Sequence, residues 1–255
     1  LPGWGIEEFF FPARRVSGDF YDAFTLPGGY LGLVIGDVCD KGVGSALFMA
    51  LFRSLIRIFS GQTHLCKHLC ESFMAASPQK SCDVIIPQEA VDIGQTNPLI
   101  AVALTNDYIA QNNDMCMFAT LFFGVLDPQS GKLVYISGGH EAVSVIDQSG
   151  VRERLLPTGP AVGTLPETTF SYKETQLLPG DILFAYTDGV IDALSPDAER
   201  FSKQRLFSVL SQPVASALEL TQKIATSLFA HIGMAPQEDD ITMLTLQRKS
   251  PISSL

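Results

Sequence analysis

Four short stretches of this chain set an aspartate beside the end of an apolar run, each time next to glycine or a second acid. They are SGDFYD (Asp19, Asp22), VIGDVCDKG (Asp37, Asp40), FAYTDGV (Asp188) and EDDIT (Asp239, Asp240). Aspartate is a poor strand former and costly to bury unpaired, so these carboxylates belong near solvent or near something cationic. Hard divalent ions such as Mg²⁺ and Mn²⁺ prefer carboxylate and carbonyl oxygen and need ligands on rigid supports, which strand ends provide. Two such ions about 3.5–4 Å apart lower the pKa of a shared water, and their charge stabilises a phosphoryl group under in-line attack. Taken singly, each aspartate reads more simply as the cap of a strand or turn.

Local pattern sets two of them against each other. DFYDAFTL and YLGLVIGD are strand-like and flank Pro27-Gly28-Gly29, a trio suited to a three-residue hairpin turn. Leu26 then pairs with Tyr30, and counting outward along an antiparallel ladder puts Asp19 across from Asp37. Two facing carboxylates repel unless a cation lies between them or one is protonated.

The elements that must position these residues follow from periodicity. EEFFFPA reads as a first strand. GVGSALFMALFRSLIRIFSG reads as a helix that is apolar almost all round, with Arg53 and Arg57 as its charged stripe. It is expected to be buried on more than one side, on a sheet and against another helix or chain. PLIAVALTNDYIAQN reads as a second helix. CMFATLFFGVLD, KLVYISGG and AVSVID read as a meander of three strands, SYKETQLL and DILFAYTD as two more joined by Pro179-Gly180, and DDITMLTLQ as the last, after a helical stretch over about 203–230. Many antiparallel strands with a few long helices imply an α+β domain of stacked sheets covered by helices.

Charge and composition narrow the function. With 27 acidic against 17 basic residues the net charge is −10, which leaves no broad basic surface for nucleic acid or an anionic membrane. No run of about 18 apolar residues and no leader pattern is evident, so no membrane span is expected. The odd set Cys39, Cys66, Cys70, Cys82 and Cys116 suits free thiols in a reducing cytoplasm. The chain opens on Leu-Pro-Gly-Trp rather than methionine and reads as one domain over residues 1–255, cut from a longer protein.

In order and spacing, GDFYD, GDVCDKGVGSALFMA, FATLFFGVLD, GGHE, LPTGPAVGTL, LLPGDILFAYTDGV and DDIT resemble the metal-dependent PPM (type 2C) serine/threonine phosphatases, in their bacterial SpoIIE/RsbU-like branch. The resemblance covers about residues 1–247 and is weakest over 60–97. It implies an αββα sandwich of two antiparallel sheets flanked by helices, with two Mn²⁺ or Mg²⁺ ions at the sheet ends. Carried over, Asp19 and Asp37 are ligands, with the main-chain carbonyl of Val38; Asp188 and Asp239 are further ligands, and Asp240 is another candidate. The implied reaction is hydrolysis of phosphoserine or phosphothreonine by metal-activated water. The implied partners are a phosphorylated STAS-domain substrate of the anti-anti-sigma type and an upstream sensor or receiver domain. The apolar helix over 43–59 would then pack at a homodimer or sensor-domain interface.

Some residues depart from that pattern. Asp40-Lys41 stands where relatives often carry glycine-histidine; Lys41 suits contact with a substrate phosphate better than general-acid work, which stays unassigned. Arg14 and Arg15 lie close enough in sequence to the first motif to hold phosphate. His140, after two glycines, reads as structural. HLCKHLC is no zinc site, since on a helix its His and Cys pairs point about 200° apart. DKGVGS is no P-loop, because its lysine precedes the glycines, which also disfavours a nucleotide phosphotransferase. The remaining rival is a phosphatase-like binding module without activity; residues 60–97 read as either a flap or an insertion.

Overall fold

The Pro27-Gly28-Gly29 turn closes with Gly28 at φ 74° and Gly29 at φ 83°, left-handed values that glycine takes freely. In this computed structural model, which describes residues 1–61 and 99–250, the turn joins β2 (Asp19–Thr25) to β3 (Leu31–Val38). The Leu26 amide donates to the Tyr30 carbonyl at 2.8 Å, and the ladder runs out to Asp19 opposite Asp37. The turn chemistry alone was enough to set this register.

Among the described residues two five-stranded antiparallel sheets face each other. One has the order β2-β3-β4-β5-β8, with β4 (Ala119–Leu126), β5 (Lys132–Gly138) and β8 (Lys173–Gln176). The other has β1 (Trp4–Phe11), β10 (Ile241–Arg248), β9 (Ile182–Tyr186), β6 (Val143–Asp147) and β7 (Gly150–Leu155), in the order β1-β10-β9-β6-β7. Leu33, Ile35 and Phe122 from the first meet Val145, Leu183 and Leu244 from the second between the sheets. Outside the first sheet lie α1 (Val43–Gly61) and α2 (Ile100–Gln111), packed through Phe52, Ile56 and Val102 on Phe20, Val34 and Phe123. Outside the second lie the short α3 (Gly189–Asp192), α4 (Ser202–Leu210) and α5 (Ala217–Ile232), whose Leu206, Ile224 and Leu228 cover Phe184, Tyr186 and Met243. Burying each of these large side chains contributes about 1.5–3 kcal/mol. The result is the expected αββα sandwich.

Four expectations change. The three-strand meander does not form: β4 and β5 pair, but β6 crosses to the other sheet and pairs with β7 and β9. β8 and β9 likewise sit in different sheets despite the Pro179-Gly180 turn. Strand β7 stands where the sequence pattern marks no element, and the helical stretch over 203–230 is two helices separated around Pro213. Alternation tells which residues face inward but not which sheet a strand joins. The segment holding HLCKHLC, Cys66, Cys70 and Cys82 lies outside the described residues.

Helix α1 lies on the sheet and against α2, as expected, but its outer face is open among the described residues. Val43 and Leu47 stand 68% and 67% exposed, and by length and composition the helix would pass for a membrane span, with hydropathy 1.5. Its charged stripe ties it to the sheet instead. Arg57 donates through Nε and Nη2 to the two Asp22 oxygens, and Arg53 Nε to Oδ2 at 3.1 Å. Burial would raise the Asp22 carboxyl, but the Arg57 and Arg53 bonds outweigh it and hold it below its ordinary value. Asp19 and Asp22, three residues apart on a strand, face opposite sides of the sheet, and they have different partners.

Candidate active site

All four aspartate-bearing stretches meet at one end of the sandwich. The β2–β3 ladder delivers Asp19 and Asp37. Pairing of β9 with β10 brings the start of α3, where Asp188 stands, beside Asp239 and Asp240, and the Thr187 amide donates to the Thr242 carbonyl at 3.1 Å. The two sheets are stitched together at Asp19, which is 4% exposed: its Oδ2 accepts from Thr187 Oγ at 2.7 Å and Thr242 Oγ at 2.5 Å. Neither threonine was singled out from sequence, although each sits one or two positions from a motif aspartate. Glycine permits the close approach, since a Cβ on Gly189 would run into the Asp240 carbonyl.

Asp240 has a different task from its neighbour. Its Oδ1 accepts from the Ala13 amide at 2.7 Å, and its Oδ2 from Ser17 Oγ at 2.7 Å and the Gly18 amide at 3.1 Å. It therefore pins the loop that leads into Asp19. Asp239 is half-buried and pairs with Lys41 Nζ at 3.0 Å, while the same ammonium donates to the Glu238 carbonyl at 2.6 Å. Lys41 is thus bound to a candidate ligand rather than free for phosphate. Arg14 and Arg15 are exposed on the loop before Asp19 and have no ion-pair partner among the described residues. The Val38 carbonyl accepts a long bond from Ser45 Oγ at 3.3 Å.

His140 is 2% exposed and lies 3.0 Å through Nδ1 from Thr120 Oγ, and Thr120 is the cross-strand neighbour of Asp37. The ring also interacts with the Tyr186 main chain. Burial pushes the imidazole down to about 4, so the ring is neutral and serves as a strut, in keeping with the structural reading.

The carboxylates act on one another strongly. Burial, then repulsion from Asp37, raises Asp19 well above the ordinary carboxylate range despite its threonine donors. Burial, then Asp188 and Asp239, pushes Asp37 up to about 7, and burial with Asp239 also raises Asp188. Such a cluster, short of positive charge, has the donor chemistry of a hard divalent cation site. As the side chains stand, no group of three or more His, Cys, Asp or Glu among the described residues is drawn together to hold an ion. The reason is visible in the contacts: Asp19 is taken up by hydroxyls, Asp239 by Lys41 and Asp240 by the loop. Lys41 holds Asp239 Oδ2, and the Asp240 amide donates to Oδ1 at 2.9 Å.

Comparison with known proteins agrees with this architecture. The family model for Stage II sporulation protein E (SpoIIE) matches residues 27–249. Protein IcfG of Synechocystis sp. is 47% identical over 256 residues, covering 97% of this chain and 38% of that protein. Phosphoserine phosphatase RsbU of Bacillus subtilis is 24% identical over 241 residues, covering 93% of this chain and 61% of that protein. The chain therefore spans less than two thirds of the length of either relative. Among solved structures, the SiaA-PP2C domain of Pseudomonas aeruginosa superposes with a TM-score of 0.69 at 20% identity, covering 95% of this chain and 84% of that one.

Proposed function

The chain belongs to the SpoIIE family, in the RsbU-like branch of the PPM (PP2C-type) phosphatases, and from that membership we propose that it is a metal-dependent phosphoprotein phosphatase acting on phosphoserine or phosphothreonine. The observation that carries the reading is the meeting of Asp19, Asp37, Asp188 and Asp239, with Asp19, Asp37 and Asp188 all raised by burial and mutual repulsion. Two Mn²⁺ or Mg²⁺ ions held by these four carboxylates and the Val38 carbonyl would lower the pKa of a water and offset phosphoryl charge. The chain's own residues do the positioning. Thr187 and Thr242 orient Asp19, Asp240 fixes the loop before it, and His140 braces the strand beside Asp37. Arg14, Arg15 and a released Lys41 supply cations for the phosphate.

The substrate we favour is a phosphorylated STAS-type regulatory protein, with an upstream sensor or receiver domain controlling the site and helix α1 offering a face for that domain or a second copy. An inactive binding module would be expected to have lost a ligand, and all four strand-end aspartates are present.

The test is hydrolysis of p-nitrophenyl phosphate and a phosphoserine peptide with Mn²⁺, Mg²⁺ or chelator, together with Mn²⁺ titration by calorimetry. Metal-dependent turnover that falls on the order of 10²-fold in Asp188→Asn, with weakened Mn²⁺ binding, supports the reading. Turnover that survives chelation, or is equal in the variant, refutes it.

A further inference from the structure

The loop from Ala193 to Phe201, between α3 and α4, is held more firmly than its exposure requires. The Ser195 amide donates to the Glu199 carbonyl at 2.9 Å, Ala198 to Ser195 at 2.9 Å and Phe201 to Ala193 at 2.8 Å, and Leu194 and Arg200 form an antiparallel bridge. From outside, Arg205 of α4 donates to the Arg200 carbonyl at 2.9 Å, and His231 of α5 lies 2.9 Å from the Glu199 carbonyl. Phe201, 1% exposed, anchors the end of the loop in the core. Ala198 and Ser202 take φ of 60° and 69°, a left-handed backbone unfavourable for residues with a Cβ, which persists only where the surroundings dictate it.

This support fixes Arg200, which lines two clefts that each reach one aspartate of the cluster. One cleft also holds Asp188 and Lys203; the other holds Lys41 and Asp239. Arg200 Nη1 bonds Asp192 Oδ1 at 2.6 Å, and among the described residues nothing accepts from its Nε or Nη2. Lys203 pairs with Glu141 at 2.7 Å. In both pairs the cation is the outer member: Arg200 is 66% exposed against 40% for Asp192, and Lys203 45% against 24% for Glu141. Arg200 and Lys203 are therefore open to a segment lying in the clefts, whose remaining charged lining is Glu141, Asp188, Asp192, Glu238, Asp239 and Lys41.

We propose that Arg200, seconded by Lys203, determines substrate specificity by binding an acidic side chain beside the phosphorylated serine, so that the substrates are phosphoserine segments in acidic context. The inference rests on the phosphatase reading for its setting, with the phosphate at the aspartate cluster and the flanking residue at Arg200. A guanidinium with two donor edges can hold Asp192 with one and a substrate carboxylate with the other.

The experiment uses three phosphoserine peptides that differ only in carrying Glu, Ala or Lys next to the phosphoserine, with p-nitrophenyl phosphate as a reference that has no flanking residue. The expected result is a preference for the Glu over the Lys peptide in kcat/KM of about tenfold, abolished in Arg200→Gln and inverted in Arg200→Glu. The loss on the Glu peptide should exceed any loss on p-nitrophenyl phosphate by a similar factor. An unchanged Glu-to-Lys ratio in the variants, or equal loss on every substrate, overturns the proposal. If the wild-type protein hydrolyses none of the four, the phosphatase reading fails by itself. Fluorescence anisotropy of the same peptides then decides the role of Arg200: inversion of binding preference in Arg200→Glu supports it, and an unaltered preference overturns it.

Discussion

If Asp239 holds metal as proposed, replacing Lys41 by glutamine should tighten Mn²⁺ binding, because the ammonium pairs with one oxygen of that carboxylate. The pair Lys41–Asp239 is 3.0 Å long with side chains 35% and 38% exposed, so solvent and salt weaken it. An ion pair of that exposure contributes about 0.2–1 kcal/mol, and its removal should lower the dissociation constant for Mn²⁺ by about 1.5- to 5-fold. Isothermal calorimetry with Mn²⁺ reads this directly, and the difference should shrink between 0.1 M and 0.5 M salt, values chosen about a Debye-length factor of two apart. Loss of one positive charge near the site would help any cation, so Lys203→Gln is the control. Lys203 belongs to Glu141 and makes the same change in net charge without touching Asp239. Equal tightening in both variants, or weaker binding in Lys41→Gln, would show that Lys41 does not compete with metal at Asp239.

Two further outcomes are expected. Asp22→Asn should destabilise the fold by about 2 kcal/mol, since a 6%-exposed carboxylate loses charge-assisted bonds to Arg53 and Arg57; denaturant melts measure this, and Mn²⁺ affinity should not move, because Asp22 faces α1 rather than the aspartate cluster. His140 is held neutral with its pKa lowered to about 4, below the ordinary unfolded value near 6.5. Its contribution is therefore complete above pH 6.5 and is lost as the pH falls toward 4, by up to ~3 kcal/mol. Comparing wild type with His140→Gln at each pH, both in chelator, cancels the opposite trend from Asp37, whose raised pKa favours the fold at low pH and ceases to do so as the pH rises through about 7. A difference that stays flat from pH 7 to pH 4.5 would contradict the buried neutral ring.

What could be read in the sequence was local or ordered along the chain. The length of the Pro27-Gly28-Gly29 turn fixes a ladder, and a ladder fixes who faces whom, so Asp19 opposite Asp37 followed by counting. Motif order identified the family and with it the sandwich, and apolar periodicity located most strands and helices. Only tertiary structure assigned the work of each charge. Asp22 and Asp19 share one motif, yet the strand turns them to opposite faces, one toward two arginines of α1 and the other toward hydroxyls of the facing sheet. Asp239 and Asp240 are adjacent, yet one meets Lys41 and the other the loop at 13–18. Those partners lie some two hundred residues away along the chain, beyond the reach of turn geometry or periodicity. Which sheet β6 and β8 join was equally hidden, because an alternating strand buries its apolar face as well in either layer.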